Sequence, residues 1–240
     1  MRGGFRGARN YVYHVGMTKI QCEGMLFDLD GVLVDSTPAV ARVWSWWASQ
    51  HGFDAEEIVH RAHGRPSIAT IRELLPNADH EKENREVERR EIEDVEGVVP
   101  LPGALELLQA LPFDRWVIVT SCTKTLAHVR IRAAGLPEPK FIVTSDDIVN
   151  GKPDPEPYRK GAQTLSFSPK DCLVIEDAPA GIRSGKASGA RVVALQTTER
   201  DELLRNAGAD YIVKDCSALK LVASREQLLF ELQNAQAAFR

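Results

Sequence analysis

Residues 24–31 read Gly-Met-Leu-Phe-Asp-Leu-Asp-Gly, a short apolar run that ends in two aspartates. An uninterrupted apolar run of this length is typical of a strand covered on both faces of a parallel sheet. Five more such runs follow, at residues 116–120, 141–144, 172–176, 191–195 and 211–213. Segments with helical spacing lie between them, at 104–110, 125–134 and 179–188. This alternation predicts an α/β fold with a doubly wound, Rossmann-like parallel sheet.

One long segment interrupts the alternation directly after the first strand. Residues 38–102 contain no convincing strand and four helical patterns, at 39–50, 55–61, 67–75 and 79–96. A Pro- and Gly-rich stretch at 100–103 marks the return to the alternating pattern. We therefore predict a helical insert over residues 37–102 and a core made of residues 22–36 and 103–240.

Two features of the insert predict how it packs. Trp44, Trp46 and Trp47 lie on its first helix, where two indoles are expected to pack inside and one to face outward. The stretch 79–96 is rich in Glu and Arg, which is typical of a solvated helix face with i,i+4 ion pairs.

Composition and charge exclude several classes of protein. The 240 residues include 30 Lys and Arg against 34 Asp and Glu, a formal net charge of −4. Such a chain has no overall basic field to attract nucleic acid or anionic lipid. No apolar run approaches the roughly 18 residues of a membrane span. We therefore expect no nucleic acid and no membrane as partners.

The N-terminus and the cysteines bear on the cellular compartment. Residues 1–21 carry four basic residues and no acidic one, and they lack the apolar core of a signal peptide. We expect a disordered tail there, with Met1 and Met17 as alternative starts. The cysteines form no Cys-x-x-Cys pair, which predicts reduced thiols and a cytoplasmic protein.

Polar side chains stand where the predicted strands end. Because the carboxyl ends of parallel strands form the ligand-binding edge of an open sheet, we expect these side chains to converge. They are Asp28 and Asp30 after the first strand, Thr120 and Ser121 after the second, Lys152 after the third, and Glu176 and Asp177 at the fourth. Asp28 and Asp30 are two residues apart, so an extended chain would project both to the same side.

This cluster needs cations to stay ionised. Asp28, Asp30, Glu176 and Asp177 supply four carboxylates, whereas Lys152 supplies one positive charge. A hard divalent cation such as Mg²⁺ binds carboxylate oxygens, water and substrate phosphate. Hydroxyls and backbone amides nearby would complete an anion site. The set predicts phosphoryl transfer to an aspartate.

Four motifs occur in a fixed order along the chain. They are Phe-Asp-Leu-Asp-Gly-Val at residues 27–32, then Thr120, Lys152 and Glu176-Asp177. In type, order and spacing they resemble the four signatures of the haloacid dehalogenase-like hydrolase superfamily, over residues 24–216. The helical insert resembles the cap domain of that superfamily's large phosphatase branch, with hinges expected at 35–38 and 99–103.

The resemblance implies a magnesium-dependent phosphatase with an aspartyl-phosphate intermediate. Asp28 would be the nucleophile and a metal ligand. Asp30 would act as general acid and then as general base, and would lend a backbone oxygen to the metal. The remaining roles are phosphate binding by Thr120, Ser121 and Lys152, and Mg²⁺ binding by Asp177 with Glu176 in support.

The insert also resembles the cap of glycerol-phosphate and 2-deoxyglucose-6-phosphate phosphatases, at residues 36–40, 53–56, 63–65 and 71–76. The substrate implied is a small sugar or polyol phosphate. His63 and Arg65 would then touch hydroxyls or phosphate from a cap loop. The alternative for these two is a surface loop around a glycine turn.

Other activities within the superfamily are less well matched. The dehalogenases lack the second aspartate of the first motif. This chain has Asp30 at that position, which favours a phosphate substrate. The β-phosphoglucomutases carry a histidine where this chain has Val40, and the insert's Lys82 lacks the apolar pocket expected of a Schiff-base lysine. A sugar-phosphate mutase and a non-catalytic phosphosugar-binding protein remain the alternatives.

Overall fold

The computed structural model describes residues 18–62 and 66–237. Strands in this part of the chain are β1 (Thr18–Cys22), β2 (Gly24–Phe27), β3 (Val34–Asp35), β4 (Val99–Pro100), β5 (Trp116–Val119), β6 (Ile142–Val143), β7 (Cys172–Glu176), β8 (Arg191–Leu195), β9 (Tyr211–Val213), β10 (Leu219–Ser224), β11 (Leu228–Leu232) and β12 (Gln236–Ala237). Helices are α1 (Thr37–His51), α2 (Ala55–Ala62), α3 (Ser67–Leu74), α4 (His80–Glu93), α5 (Ala104–Ala110), α6 (Lys124–Ala133), α7 (Glu156–Thr164), α8 (Pro179–Ser188) and α9 (Asp201–Asn206). Among the described helices, none combines the length and apolar character needed to cross a membrane.

The central sheet has the strand order β12-β9-β8-β7-β2-β5-β6. Strand β2 pairs in parallel with β5 on one side and with β7 on the other. The chain runs from β2 outward to β6, then returns to β7 and continues to β9, so the order reverses beside β2. Ligands bind outside the carboxyl ends of the strands at such a switch point. The edge strand β12 is antiparallel to β9.

Both faces of this sheet are covered, as the predicted doubly wound fold requires. Met25 and Phe27 point into one apolar layer with side chains of α5 and α6. Leu26 points into the opposite layer, with Tyr158 of α7 and Ile182 of α8. This alternation explains why every residue of β2 is buried. The predicted α/β fold is confirmed.

A second sheet corrects the expected N-terminal tail. Strands β1, β11 and β10 form an antiparallel sheet, in which Ile20 lies opposite Phe230. Residues 18–21 therefore do not belong to a tail, and residues 1–17 lie outside the described part of the chain. This strand was not predicted because it is short and half polar, and because its partner strand β11 comes about 200 residues later.

Helices α1–α4, called the helical segment below, have an apolar cluster of their own. Trp44 and Trp47 are buried in it, whereas Trp46 is half-buried under the guanidinium of Arg90, 3.4 Å from the ring centroid. The exposed face of α4 carries the expected ion pairs, with Arg89 and Glu93 2.6 Å apart. Both packing predictions for the insert are confirmed.

The chain enters and leaves the helical segment at one place. Strands β3 and β4 pair antiparallel there, with Val34 opposite Pro100 and Asp35 opposite Val99. The two crossings coincide with the predicted hinges at 35–38 and 99–103. Their role as hinges stays a prediction.

Candidate active site

The seven residues predicted at strand ends meet at the carboxyl edge of the central sheet. Asp28 follows β2, Thr120 and Ser121 follow β5, and Glu176 ends β7. Asp28, Asp30, Thr120 and Ser121 line one cavity. Lys152, Glu176 and Asp177 lie directly beside Asp28.

Lys152 joins two buried carboxylates. Its Nζ lies 2.9 Å from Oδ1 of Asp28 and 2.7 Å from Oε1 of Glu176. Burial alone would lower the pKa of Lys152, but the charges of Asp28 and Glu176 outweigh it and raise the pKa above its usual range. The lysine therefore carries a fixed positive charge against the predicted nucleophile.

Glu176 is fully buried and accepts hydrogen bonds at both oxygens. The Tyr158 hydroxyl donates to Oε1 at 2.7 Å, and the backbone N–H groups of Asp177 and Ala178 donate to Oε2 at 3.0 and 3.2 Å. Burial and the charge of Glu176 raise the pKa of Tyr158, which keeps its proton in place for donation. Tyr158 was not among the predicted site residues. Its signal in the sequence is its place six residues after Lys152, on helix α7.

Two glycines make room for the carboxylates of β7. A Cβ at Gly181 of α8 would lie 1.6 Å from Oε1 of Glu176. A Cβ at Gly31 would lie 2.0 Å from Oδ2 of Asp177, and the φ angle of +79° at Gly31 also favours glycine. Thr198 donates a hydrogen bond to the same Asp177 oxygen. Both positions therefore require glycine for steric reasons.

Asp28, Glu176 and Asp177 form a candidate metal site. Each offers an oxygen within 4.8 Å of the others. Burial raises the pKa of Asp28, the charge of Lys152 lowers it, and the two other carboxylates raise it again, so that it lies well above its usual range. Asp28 and Asp177 offer hard oxygen ligands, with Lys152 beside them. Glu176 already accepts four hydrogen bonds at its two oxygens and adds negative charge in support. Such a set fits Mg²⁺, which binds carboxylate oxygens and retains places for water and phosphate.

Asp30 lines the same cavity as Asp28, but its carboxylate is not part of the three-carboxylate group. Strand β2 ends at Phe27, and the N–H groups of Leu33 and Val34 donate to the carbonyl oxygen of Leu29 at 2.9 and 3.0 Å. The chain therefore turns at Asp30 rather than staying extended. Metal binding through the Asp30 backbone oxygen stays a prediction.

The carboxylate of Asp30 is held by three donors. Ser36 Oγ donates to Oδ1 at 2.6 Å, while Cys122 Sγ and Arg130 Nη1 contact Oδ2 at 3.1 and 2.8 Å. Burial would raise the pKa of Asp30, but the charge of Arg130 and the three hydrogen bonds lower it overall. Arg130 also lies 3.6 Å from Glu91 of α4. No pattern in the sequence pointed to Arg130, because an arginine on an amphipathic helix is ordinarily exposed.

A cavity of about 120 Å³ separates the sheet edge from the helical segment. Thr120 and Ser121 line it, and the Thr120 hydroxyl accepts a hydrogen bond from the N–H of Cys122 at 3.1 Å. Helices α1, α3 and α4 supply the opposite wall, including Val40, Trp44, Ser67, Asn84, Glu88 and Glu91. His63 and Arg65, the predicted substrate contacts of the insert, lie outside the described residues.

The chain is similar to known proteins in sequence and in fold. Residues 22–189 match the model of the haloacid dehalogenase-like hydrolases. The chain is 44% identical to hexitol phosphatase A of Escherichia coli strain K12, over 73% of this chain and 84% of that protein. It is 33% identical to glycerol-1-phosphate phosphohydrolase 2 of Saccharomyces cerevisiae, over 84% and 86%.

The solved structure of a hydrolase from Pseudomonas syringae superimposes with a TM-score of 0.70 at 27% identity, covering 80% of this chain and 93% of that one. The family model spans all four motifs predicted from the sequence, and the fold agrees with the structural match. The family prediction is confirmed. This chain belongs to the haloacid dehalogenase-like hydrolases.

Proposed function

We propose that this enzyme hydrolyses the phosphate ester of a small sugar or polyol, with Mg²⁺ as cofactor and through an aspartyl-phosphate intermediate on Asp28. The observation that carries the proposal is the arrangement of Asp28 at the cavity, with Lys152 on one oxygen and Glu176 and Asp177 beside it. A phosphoric monoester hydrolase is also what the family and the names of the relatives indicate. Both named relatives act on phosphates of polyols.

The first step is attack of an Asp28 oxygen on phosphorus, which forms the Asp28–phosphate bond and breaks the bond to the alcohol oxygen. Lys152 holds the other Asp28 oxygen, so the attacking carboxylate has one orientation. Thr120 and Ser121 hold phosphate oxygens. Asp28 and Asp177, with Glu176 in support, would hold Mg²⁺, which would supply positive charge that neutralises the phosphate.

Asp30 moves the protons of both steps. It gives a proton to the departing alcohol oxygen, and it then takes one from the water that hydrolyses the aspartyl-phosphate. The contacts with Ser36, Cys122 and Arg130 suit the ionised form, which is the form needed in the second step. The first step needs the protonated form, so Asp30 must separate from Arg130 while the substrate is bound.

The helical segment serves as the cap. It covers the cavity through Glu88, which accepts a hydrogen bond from Thr123, and through Glu91, which faces Arg130. Exclusion of bulk water strengthens the electrostatic contacts at phosphorus and protects the intermediate. Rotation about residues 35–38 and 99–103 would admit substrate and release product.

Hydrolysis fits this cavity better than mutase activity. Val40, at the position where β-phosphoglucomutases carry a histidine, lines the cavity and offers no proton donor or acceptor from its side chain. Hydrolysis needs only the residues already named, whereas a mutase would need a further proton donor or acceptor at the position of Val40.

The test is phosphate release from a panel of phosphorylated sugars, polyols and p-nitrophenyl phosphate. Activity should require Mg²⁺, vanish in excess EDTA and fall by several orders of magnitude in Asp28→Asn. The control is Asp114→Asn, an exposed residue just before β5 and thus at the opposite edge of the sheet, which should leave turnover unchanged. Full activity in EDTA, or isomerised phosphate product in place of free phosphate, would overturn the proposal.

A further inference from the structure

Helix α4 turns one polar face toward the cavity. Asn84, Glu88 and Glu91 all line the cavity, and their spacing of i, i+4 and i+7 sets them on the same side of the helix. Glu86, Arg89 and Glu93 occupy the other side, where they form exposed ion pairs with one another. The charged helix therefore has a solvent face and a separate face toward the candidate active site.

This inner face is rich in hydrogen-bond acceptors. Ser67 donates to Oδ1 of Asn84 at 2.6 Å, and Thr123 donates to Oε1 of Glu88. An ionised carboxylate has room for about four hydrogen bonds, so one contact with Thr123 leaves acceptor capacity at Glu88. The side-chain amide nitrogen of Asn84 adds donor capacity. A group that both donates and accepts hydrogen bonds, as a hydroxyl does, matches this surface.

The charge of the wall disfavours a second anion on the substrate. Apart from Asp28, the charged residues among the described lining residues are the acids Asp30, Glu88 and Glu91 and the base Arg130. Even with Asp30 protonated for the first step, the two carboxyl groups of α4 face one guanidinium. Arg130 is 5% exposed and already faces both Asp30 and Glu91. A carboxylate on the leaving group would meet this excess negative charge at low dielectric, whereas neutral hydroxyls would not.

We propose that the inner face of α4 selects the leaving group, with Glu88 and Asn84 binding the hydroxyls of a neutral polyol or sugar and the acidic wall excluding carboxylated phosphate esters. This inference rests on the proposed phosphatase function and adds to it the residues that choose the substrate. The volume of about 120 Å³ restricts the leaving group further, since pockets for drug-sized ligands typically span about 300–1,000 Å³.

The experiment compares kcat/KM for glycerol 1-phosphate, phosphoglycolate and p-nitrophenyl phosphate, all with Mg²⁺. In Glu88→Ala the ratio of glycerol 1-phosphate to p-nitrophenyl phosphate should fall about 10- to 100-fold, because the nitrophenyl group has no hydroxyl to bind. Glu88→Gln, which keeps an acceptor oxygen and removes the charge, should recover part of that ratio and raise the relative rate with phosphoglycolate. Glu86→Gln, on the solvent face of the same helix, should match the wild type.

The outcomes separate this inference from the proposed function. If the wild type hydrolyses none of the three esters and no sugar or polyol phosphate of the panel, both are overturned. If it hydrolyses p-nitrophenyl phosphate but Glu88→Ala and Glu86→Gln give the same substrate ratios, only the role of α4 is overturned. A wild-type preference for phosphoglycolate over glycerol 1-phosphate would also contradict the acidic-wall argument.

Discussion

Gly181→Ala should damage the candidate active site from a position outside the cavity. Gly181 lies in α8, behind Glu176, and an added Cβ would lie 1.6 Å from Oε1 and 2.0 Å from Cδ of that carboxylate. Contacts below 3.0 Å are essentially never seen for real Cβ atoms, so either the carboxylate or the helix must move. Displacement of Oε1 would separate it from Lys152 and Tyr158, which both lie 2.7 Å away.

The size of the effect follows from these contacts. Breaking a buried ion pair typically costs about 3–5 kcal/mol. Alanine regains about 1 kcal/mol over glycine inside a helix. We therefore expect the free energy of unfolding to fall by about 2–4 kcal/mol, where each kcal/mol lowers Tm by roughly 2–4 °C for a chain of this size. Turnover and Mg²⁺ affinity should fall as well, because Glu176 would leave its place.

The assay is chemical denaturation beside Mg²⁺-dependent phosphate release. Gly185→Ala is the matched control, because Gly185 lies on the same helix but the nearest neighbours of its added Cβ would be the apolar side chains of Val192 and Val174, at 2.9 and 3.1 Å. Apolar overpacking of this kind costs about 1–3 kcal/mol and leaves the carboxylates in place, so turnover should persist. Wild-type stability and turnover in Gly181→Ala would refute the reasoning.

Two further predictions concern buried ionisable groups. Lys152→Met should destabilise the protein by about 3–5 kcal/mol in EDTA, because it leaves two buried carboxylates without their cation. Adding Asp28→Asn should restore part of the lost stability. A double variant that is no more stable than Lys152→Met in denaturant titrations would contradict the pairing. Burial raises the pKa of Cys22, Cys172 and Cys216 to about 12, so only about one in 10⁴ of each thiol is ionised at pH 8. These three should resist a disulfide reagent such as dithionitrobenzoate in the native state and react in denaturant; rapid native labelling of any of them, located by mass spectrometry, would contradict their burial.

The sequence determined the sheet and most of the candidate site because both depend on short-range patterns. Buried parallel strands are continuous apolar runs, and the polar residues that end them must share one edge. For this reason Asp28, Lys152, Glu176 and Asp177 could be placed together from strand ends alone. The separate apolar side of the helical segment was equally visible in its tryptophans.

Only the tertiary structure decided the features that depend on contacts between distant residues. Strand β1 forms because Ile20 pairs with Phe230 of β11. Its five mostly polar residues do not by themselves predict a strand. Arg130, 100 residues after Asp30, binds the Asp30 carboxylate. Helix α4 likewise looked uniformly charged, and packing alone set Glu88 toward the cavity and Glu86 toward solvent. Local sequence specifies the type of each side chain and its period, whereas which face becomes a site depends on what the rest of the chain packs against it.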